Sequence, residues 1–321
     1  MVGTAEPQAE ANRVLDHVWE RQRGWSIGAD LAKAQVERAR IGNLLLIVGA
    51  AVFGALAAQS DWLPSGFQRG LSLAASVLLM VAGFVQSHYL TALKVKAWTA
   101  ARSASETLKA LVYVYMAGVS VDTSSDNSHE ESQVDAALLD QLTMVESRAF
   151  VLGANRADPD NKPLPTVASV PDYRANRTEE QAQWHSTRRG EHDRRARLLR
   201  AAQLGLTVLG SVLALIAGVS AQPGIDSWVA AVAAMGAAVA AHLGATQYDR
   251  IAQSYEVTAT LLEREVVRFD SLQQRSATAV DEGAGLIGGN AGQTLVRNTE
   301  EILARQNDGW IDLIQKATEP N

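Results

Sequence analysis

The stretch VAAVAAMGAAVAAHLGA, residues 229–245, decides the fold of this chain. It is almost wholly small and apolar, so it is either a buried helix of a soluble protein or a helix that crosses a bilayer. Crossing a hydrocarbon core of about 30 Å takes roughly 20 helical residues at a rise of about 1.5 Å each. The run is close to that length, and it has company. Residues 204–221 read LGLTVLGSVLALIAGVSA, residues 41–58 read IGNLLLIVGAAVFGALAA, and residues 71–85 read LSLAASVLLMVAGFV, continuing to about 90 with a more polar end. QSDWLPSGFQRG, with Pro64, Gly66 and Gly70, separates the earlier pair, and QPGIDSW separates the later pair. Turn residues of this kind close each pair into a helical hairpin. The same plan occurs twice, which predicts an all-α integral membrane protein with spans at about 41–58, 71–90, 204–221 and 229–245.

The flanks set an orientation. Lys33, Arg38 and Arg40 precede the first run, Lys94, Lys96 and Arg102 follow the second, and Arg194, Arg195, Arg197 and Arg200 crowd the start of the third. The two short turns carry only Asp61, Arg69 and Asp226. Positive charge collects on the cytosolic side, so both termini and the central segment are expected in the cytosol, with the turns outside. Trp62 and Trp228 lie in those turns, either anchoring the interface or capping the hairpins. The arginines between Arg188 and Arg200 serve the orientation signal, and the same charge could attract anionic headgroups.

Charge and composition narrow the function classes. The 321 residues are 47% hydrophobic and carry a net charge of −6, which gives no global case for nucleic-acid binding. Cysteine is absent, which excludes disulfides, thiolate metal sites and a cysteine nucleophile. The opening residues MVGTAEPQAEANRVL have neither a basic region nor an apolar core and do not read as a cleaved secretory signal.

Amphipathic periodicity continues beyond the spans. Leu90, Ala97, Ala101, Ala104, Leu108, Leu111 and Tyr115 recur at helical spacings after the second run, and Tyr248, Ile251, Tyr255, Leu262, Val266 and Phe269 do so after the fourth. Both inner helices should therefore continue several turns into the cytosol. Charged, proline-free stretches precede each hairpin, and helices are expected at 133–153 and near the C-terminus. GANRADPDNKPLPTVASVP, with Pro159, Pro163, Pro165 and Pro171, reads as a linker. The organisation is then a two-span domain over 1–150, a linker over 151–172 and a second two-span domain over 173–321.

Within the fourth run Gly236, Ala240 and Gly244 recur every four residues, and the third has Gly210, Ala214 and Gly218. Small residues at this spacing let backbones approach closely, so the fourth helix should pack against its hairpin partner or a neighbouring subunit, centrally in the bundle.

YRANRTEEQAQWHSTR, ahead of the second hairpin, and LVRNTEEILARQNDGW, near the C-terminus, resemble the SLATT domains, with Tyr173, Arg174, Arg177, Gln181, Trp184, Glu300, Ile302 and Trp310 as the resembling positions. The family commonly has a Tyr after the Trp and a nearby Lys, where this chain has His185 and Arg188 or Arg189. The first half resembles a sister subfamily in Trp19, Gln22, Arg23, Trp25, Ser26, Lys33 and Arg40. The resemblance implies a two-helix membrane effector of prokaryotic conflict systems, found beside second-messenger nucleotidyltransferases or nucleotide-sensing domains.

Chemical motifs are sparse. GAGLIG, residues 283–288, fits GxGxxG, but it follows a helical stretch rather than a strand, so a loop between helices is expected instead of a dinucleotide site. His17, His88, His129, His185, His192 and His242 have no ligand spacing, and neither a metal nor any other cofactor is expected. GxSxG and a P-loop are both absent, so the chain does not read as an enzyme. The leading expectation is an oligomeric pore or ion-channel-like effector, with ions as permeants and the lipid bilayer and further copies of the chain as partners. Its candidate pore residues are Ser76, Gln86, His88 and His242, the histidines otherwise being bonded to backbone or water. The alternative is a non-conducting membrane scaffold that recruits a cytosolic protein.

Overall fold

In the computed structural model the described residues are 6–59, 63–121, 128–220, 224–281 and 288–316. Asp61 and Trp62, residues 222–223 of the second turn, much of the polar break near 123–132, and the GAGLIG loop up to its last glycine lie outside them. Every regular element among the described residues is a helix. The chain divides into two compact units: a helical unit of Met1–Ala32, Lys96–Gly190 and Ile251–Asp312, and a hairpin unit of Lys33–Val95, Glu191–Arg250 and Leu313–Asn321.

Two hairpins make up the hairpin unit. Helix α1 (Glu6–Ala57) enters it at Lys33 and turns into α2 (Ser65–Tyr89), whose first turn begins as the amides of Phe67 and Gln68 donate to the Pro64 carbonyl at 2.9 and 3.1 Å. The later hairpin uses α6 (Glu180–Val219) and α7 (Ile225–Thr246). Gly224 has φ +93°, a conformation that costs other residues strain, and it makes the turn into α7. Gln59 ties the turns together, its amide donating to the Gly224 carbonyl at 3.0 Å and to the Ser227 hydroxyl at 3.3 Å.

These helices are long and apolar enough to cross a membrane, and the chain is a multi-pass membrane protein. Their packing within one chain is thin. Only 11% of the apolar windows of α1 and α2 is buried, none of that of α6, and 28% of that of α7. Helix α7 is therefore the innermost span, through the face carrying Ala231, Val232, Ala238, Val239 and Thr246. Gly49 admits Leu78 of α2, whose Cδ1 lies 3.4 Å from where a Cβ would stand, and Gly210 admits Val232 at 3.3 Å.

Neither inner helix runs straight on. After α2 the chain breaks at Leu90–Thr91, and Thr91 caps α3 (Ala92–Val121) by accepting from the Lys94 amide at 3.4 Å. After α7, Gln247 adopts a left-handed φ of 50° while its amide caps the Leu243 carbonyl at 3.1 Å, and α8 (Tyr248–Asp281) begins. The expected extensions are present, each as a separate helix after a short break.

In the helical unit α1, α3 and α4 (Ser128–Val151) bury Leu15, Val18, Trp25, Leu108, Val112 and Leu142 together. A second core joins α3 to α5 (Val170–Tyr173), α8 and α9 (Gly288–Lys316) through Tyr113, Tyr173, Phe269, Leu295 and Val296. Full burial of side chains this size contributes about 1.5–3 kcal/mol each.

Residues 152–169 form no helix, as the prolines require, but Pro171 sits in the first turn of α5, where its missing N–H would have had no partner. The linker is also strapped across α1. The Ala157 amide donates to the Gly24 carbonyl at 3.1 Å, the Trp19 indole donates to the Lys162 carbonyl at 2.9 Å, and Arg23 pairs with Asp160 at 2.7 Å. A Cβ on Gly24 would stand 2.7 Å from the Ala157 carbonyl oxygen, and one on Gly28 would strike that of Asn155. Gly28→Ala is therefore expected to cost about 1–2 kcal/mol of stability and to make the 155–162 segment the first site cut in limited proteolysis. Proteolysis unchanged from the parent protein would show that the strap is not held there.

Candidate functional site

A buried polar site lies in the helical unit, where the chain leads into α6. Ser169 caps α5, its hydroxyl accepting from the Asp172 amide at 3.2 Å. The helix then widens into a π-helical turn over Arg174–Glu179 before continuing as α6. The extra residue of such a turn re-aims the side chains that follow, a device frequent at functional positions. Here it buries Arg177 and Thr178.

Arg177 is 1% exposed. It meets Glu300 of α9 in a two-point pair, Nε to Oε1 and Nη2 to Oε2, both at 2.8 Å. The Tyr173 hydroxyl donates to the same Oε1 at 2.8 Å, and the Thr178 and Thr299 hydroxyls bond at 3.1 Å. The guanidinium carbon lies 4.6 Å from the Tyr113 ring centroid, a cation–π contact with α3. Arg174 reaches Asp270 of α8 at 2.9 Å. Burial opposes the Arg177 charge, but Glu300 and its hydrogen bonds outweigh that and hold the guanidinium above its ordinary range. Burial, then the Glu300 charge, pushes the Tyr173 hydroxyl well up, so Tyr173 stays a donor.

Beside this latch runs a charged stripe on α3. Arg102, Glu106, Lys109 and Tyr113 recur at spacings of four, three and four, on one helix face, with Arg102 and Glu106 paired at 2.7 Å. Burial by itself would raise the Glu106 carboxyl, yet Arg102, Lys109 and Arg177 hold it below the usual range. Burial, then the like charge of Arg177, pushes the Lys109 ammonium down to about 8, with Glu106 opposing. His185 is buried, donates from Nδ1 to the Gln181 carbonyl at 2.7 Å, and is pushed down by burial. Trp184 packs on Tyr255 with centroids 5.6 Å apart, and Trp310 meets Trp98 edge-on at 5.3 Å.

The first half repeats the device. Arg21 on α1 donates from Nε to Oε1 of Glu146 on α4 at 2.8 Å, its Nη2 pairs with Oε2, and the Trp25 indole donates to the same Oε1 at 2.8 Å. Gln22 donates to the Ser105 hydroxyl at 3.0 Å. Each half thus joins the helix leading into its hairpin to its last helix through one glutamate, held by an arginine and an aromatic donor. Arginine and glutamate are 125 residues apart in one half and 123 in the other. Glu146 and Lys109 were not singled out from sequence. The matching separations were the available signal for the first, and the stripe spacing for the second.

The membrane candidates are not gathered into one place. Ser76 and Gln86 are exposed on α2, the Ser76 hydroxyl donating to the Ser72 carbonyl at 2.9 Å. His88 is exposed and stacks on Phe84 at 5.3 Å, whereas His242 is half-buried on α7 with its ring 6.5 Å from Tyr248. Of the small residues, Gly210 meets Val232; nothing lies within 4 Å of a Cβ built on Gly218, Gly236 or Gly244, and Ala214 and Ala240 are exposed. Their face is open within the chain, while the opposite face of α7 is the buried one. Among the described residues no group of His, Asp or Glu is placed to hold a metal ion.

Compared with known families, residues 173–310 match the model described as SMODS and SLOG-associating 2TM effector domain 1. Residues 23–129 match a different model, described as a protein of unknown function, DUF4231. No curated protein and no solved structure matches the chain.

Proposed function

We propose, from the premise that this chain carries a SLATT-type 2TM effector domain across residues 173–310, that it is an oligomeric pore-forming effector of a prokaryotic conflict system. The observation that carries the reading is the thin packing of the spans. None of the apolar window of α6 is buried and only 11% of that of α2, so the spans of one chain leave broad faces for neighbours. Copies of the chain would close a ring in the bacterial inner membrane, with the helical unit in the cytosol as the flanking arginines and lysines favour. A signal, such as a nucleotide messenger, would act on the helical unit. Because α1 and α6 run unbroken through residues of both units, a shift of the Arg21–Glu146 or Arg177–Glu300 latch would displace a span.

The test is current through planar bilayers from purified protein, with oligomeric mass measured in the same detergent. Discrete conductance steps from a defined oligomer are expected. A monodisperse protein silent across pH, voltage and candidate nucleotides would instead favour the non-conducting scaffold.

A further inference from the structure

Helix α2 has two exposed faces of opposite polarity. Its inward face carries Ala75 and Ala82, buried, with Leu71, Leu78 and Val85 half-buried beside them. A second face is exposed and apolar, carrying Leu73 at 68% exposure, Val77, Met80 at 68% and Phe84 at 58%. The third is exposed and polar: Ser65, Arg69, Ser72, Ser76, Gln86 and Ser87 follow one side of the helix from end to end. Gly83 and Leu79 lie on that side too, Leu79 being its one apolar interruption.

Lipid tails suit only one of the exposed faces. The Ser76 and Ser87 hydroxyls donate to backbone carbonyls of their own helix, at 2.9 and 3.1 Å, and could sit in hydrocarbon at small cost. Gln86, within the span, makes no hydrogen bond with any described residue of the chain, and an unsatisfied polar group costs several kcal/mol in a bilayer core, whereas Arg69, one turn into the helix, stands at the outer end. The polar side must therefore turn from lipid toward protein or water. Its charge has one sign: from residue 63 to 95 there is no Asp or Glu, while Arg69 stands near the outer end and Lys94 follows the inner end.

We propose that the polar side of α2, brought together from several copies of this chain, lines a water-filled path that favours anions, with Arg69 forming a cationic ring at the outer mouth and Leu79 an apolar constriction. This rests on the pore reading above and adds which helix face lines the path and which ions it passes. Rings of arginine or lysine select anions, and apolar constrictions gate by dewetting.

The absence of cysteine makes the test direct. Single substitutions Ser72→Cys and Ser76→Cys on the polar side, and Leu73→Cys and Val77→Cys on the apolar side, are reacted with a charged, membrane-impermeant thiol reagent in reconstituted full-length protein. The polar-side thiols are expected to react about tenfold faster, because only a hydrated thiol ionises and attacks. Across a potassium chloride gradient, the reversal potential of the parent protein should lie toward that of chloride. Arg69→Glu should move it toward that of potassium, with Asp226→Asn on the other hairpin leaving it unchanged. Equal labelling of both sides while current flows would overturn the lining and leave the pore reading standing. A reversal potential indifferent to Arg69→Glu would overturn the anion path. If the parent protein carries no current, both the pore reading and this inference fall.

Discussion

Arg177→Ala is expected to lower the unfolding free energy by about 3–5 kcal/mol, because it leaves the Glu300 carboxylate buried without its partner. For a chain of this size that is a fall of roughly 10 °C in the thermal midpoint, measured in detergent by a thermal shift. Glu300 accepts three hydrogen bonds, two from Arg177 and one from Tyr173, and only the tyrosine's would remain. Arg177→Lys should recover only part of the loss, since an ammonium cannot span both carboxylate oxygens. The double substitution Arg177→Met with Glu300→Leu should be much less harmful than Arg177→Ala, because removing both charges leaves none buried and unpaired. The matching change in the first half, Arg21→Ala, should cost less. Arg21 is 29% exposed against 1% for Arg177, and Glu146 keeps Trp25 and an Arg156 ion pair at 3.7 Å. A midpoint for Arg177→Ala within 2 °C of the parent, by the same scaling, would show that the latch does not hold the fold together.

Stability is also expected to rise, not fall, as pH climbs from about 8 to about 10, because of Lys109. Its ammonium lies beside Arg177 and Arg102, and Glu106 and Glu180 offset them only in part. Burial and like charge bring it down to about 8, below the unfolded lysine near 10.4, so in that window the unfolded chain holds the proton the folded chain has lost. Below pH 8 both states are charged and folding bears the full cost of burying the ammonium. Lys109→Met should therefore stabilise the protein at pH 7 by about 2–3 kcal/mol and flatten its profile above pH 8. The readout is the thermal midpoint of both proteins from pH 6.5 to 10. A midpoint difference constant across that range would mean that lysine titration has no part in it.

Much of the architecture was legible from local pattern. Apolar runs of span length, separated by Pro64, Gly66 and Gly70 in one case and Pro223 and Gly224 in the other, announce helical hairpins whatever surrounds them. Helical periodicity likewise announced α3 and α8. The breaks at Thr91 and Gln247 were not legible, because neither residue is a strong helix breaker and each break depends on capping geometry. The linker was legible from its prolines, but its docking was not. That turns on Gly24 and Gly28 of α1 lying beneath residues 155–157, far along the chain.

The functional residues divide along the same line. The resemblance picked out Tyr173, Arg177 and Glu300, and only folding brings Glu300 to 2.8 Å from both Tyr173 and Arg177. Ser76 and Gln86 were legible as polar residues in an apolar helix. That they share a side with Ser65, Arg69 and Ser72 follows from helical spacing, but that this side and its apolar neighbour are both exposed needed the packing of α2 against the rest of its unit. By itself, then, the sequence determined the spans, their pairing, the helical class and the charge bias, because partition into hydrocarbon and helical periodicity are set by neighbours a few residues apart. Tertiary structure alone decided which arginine meets which glutamate across 123 or 125 residues, and which faces stay open. Burial and charge pairing depend on what the rest of the chain brings alongside, and no local pattern carries that.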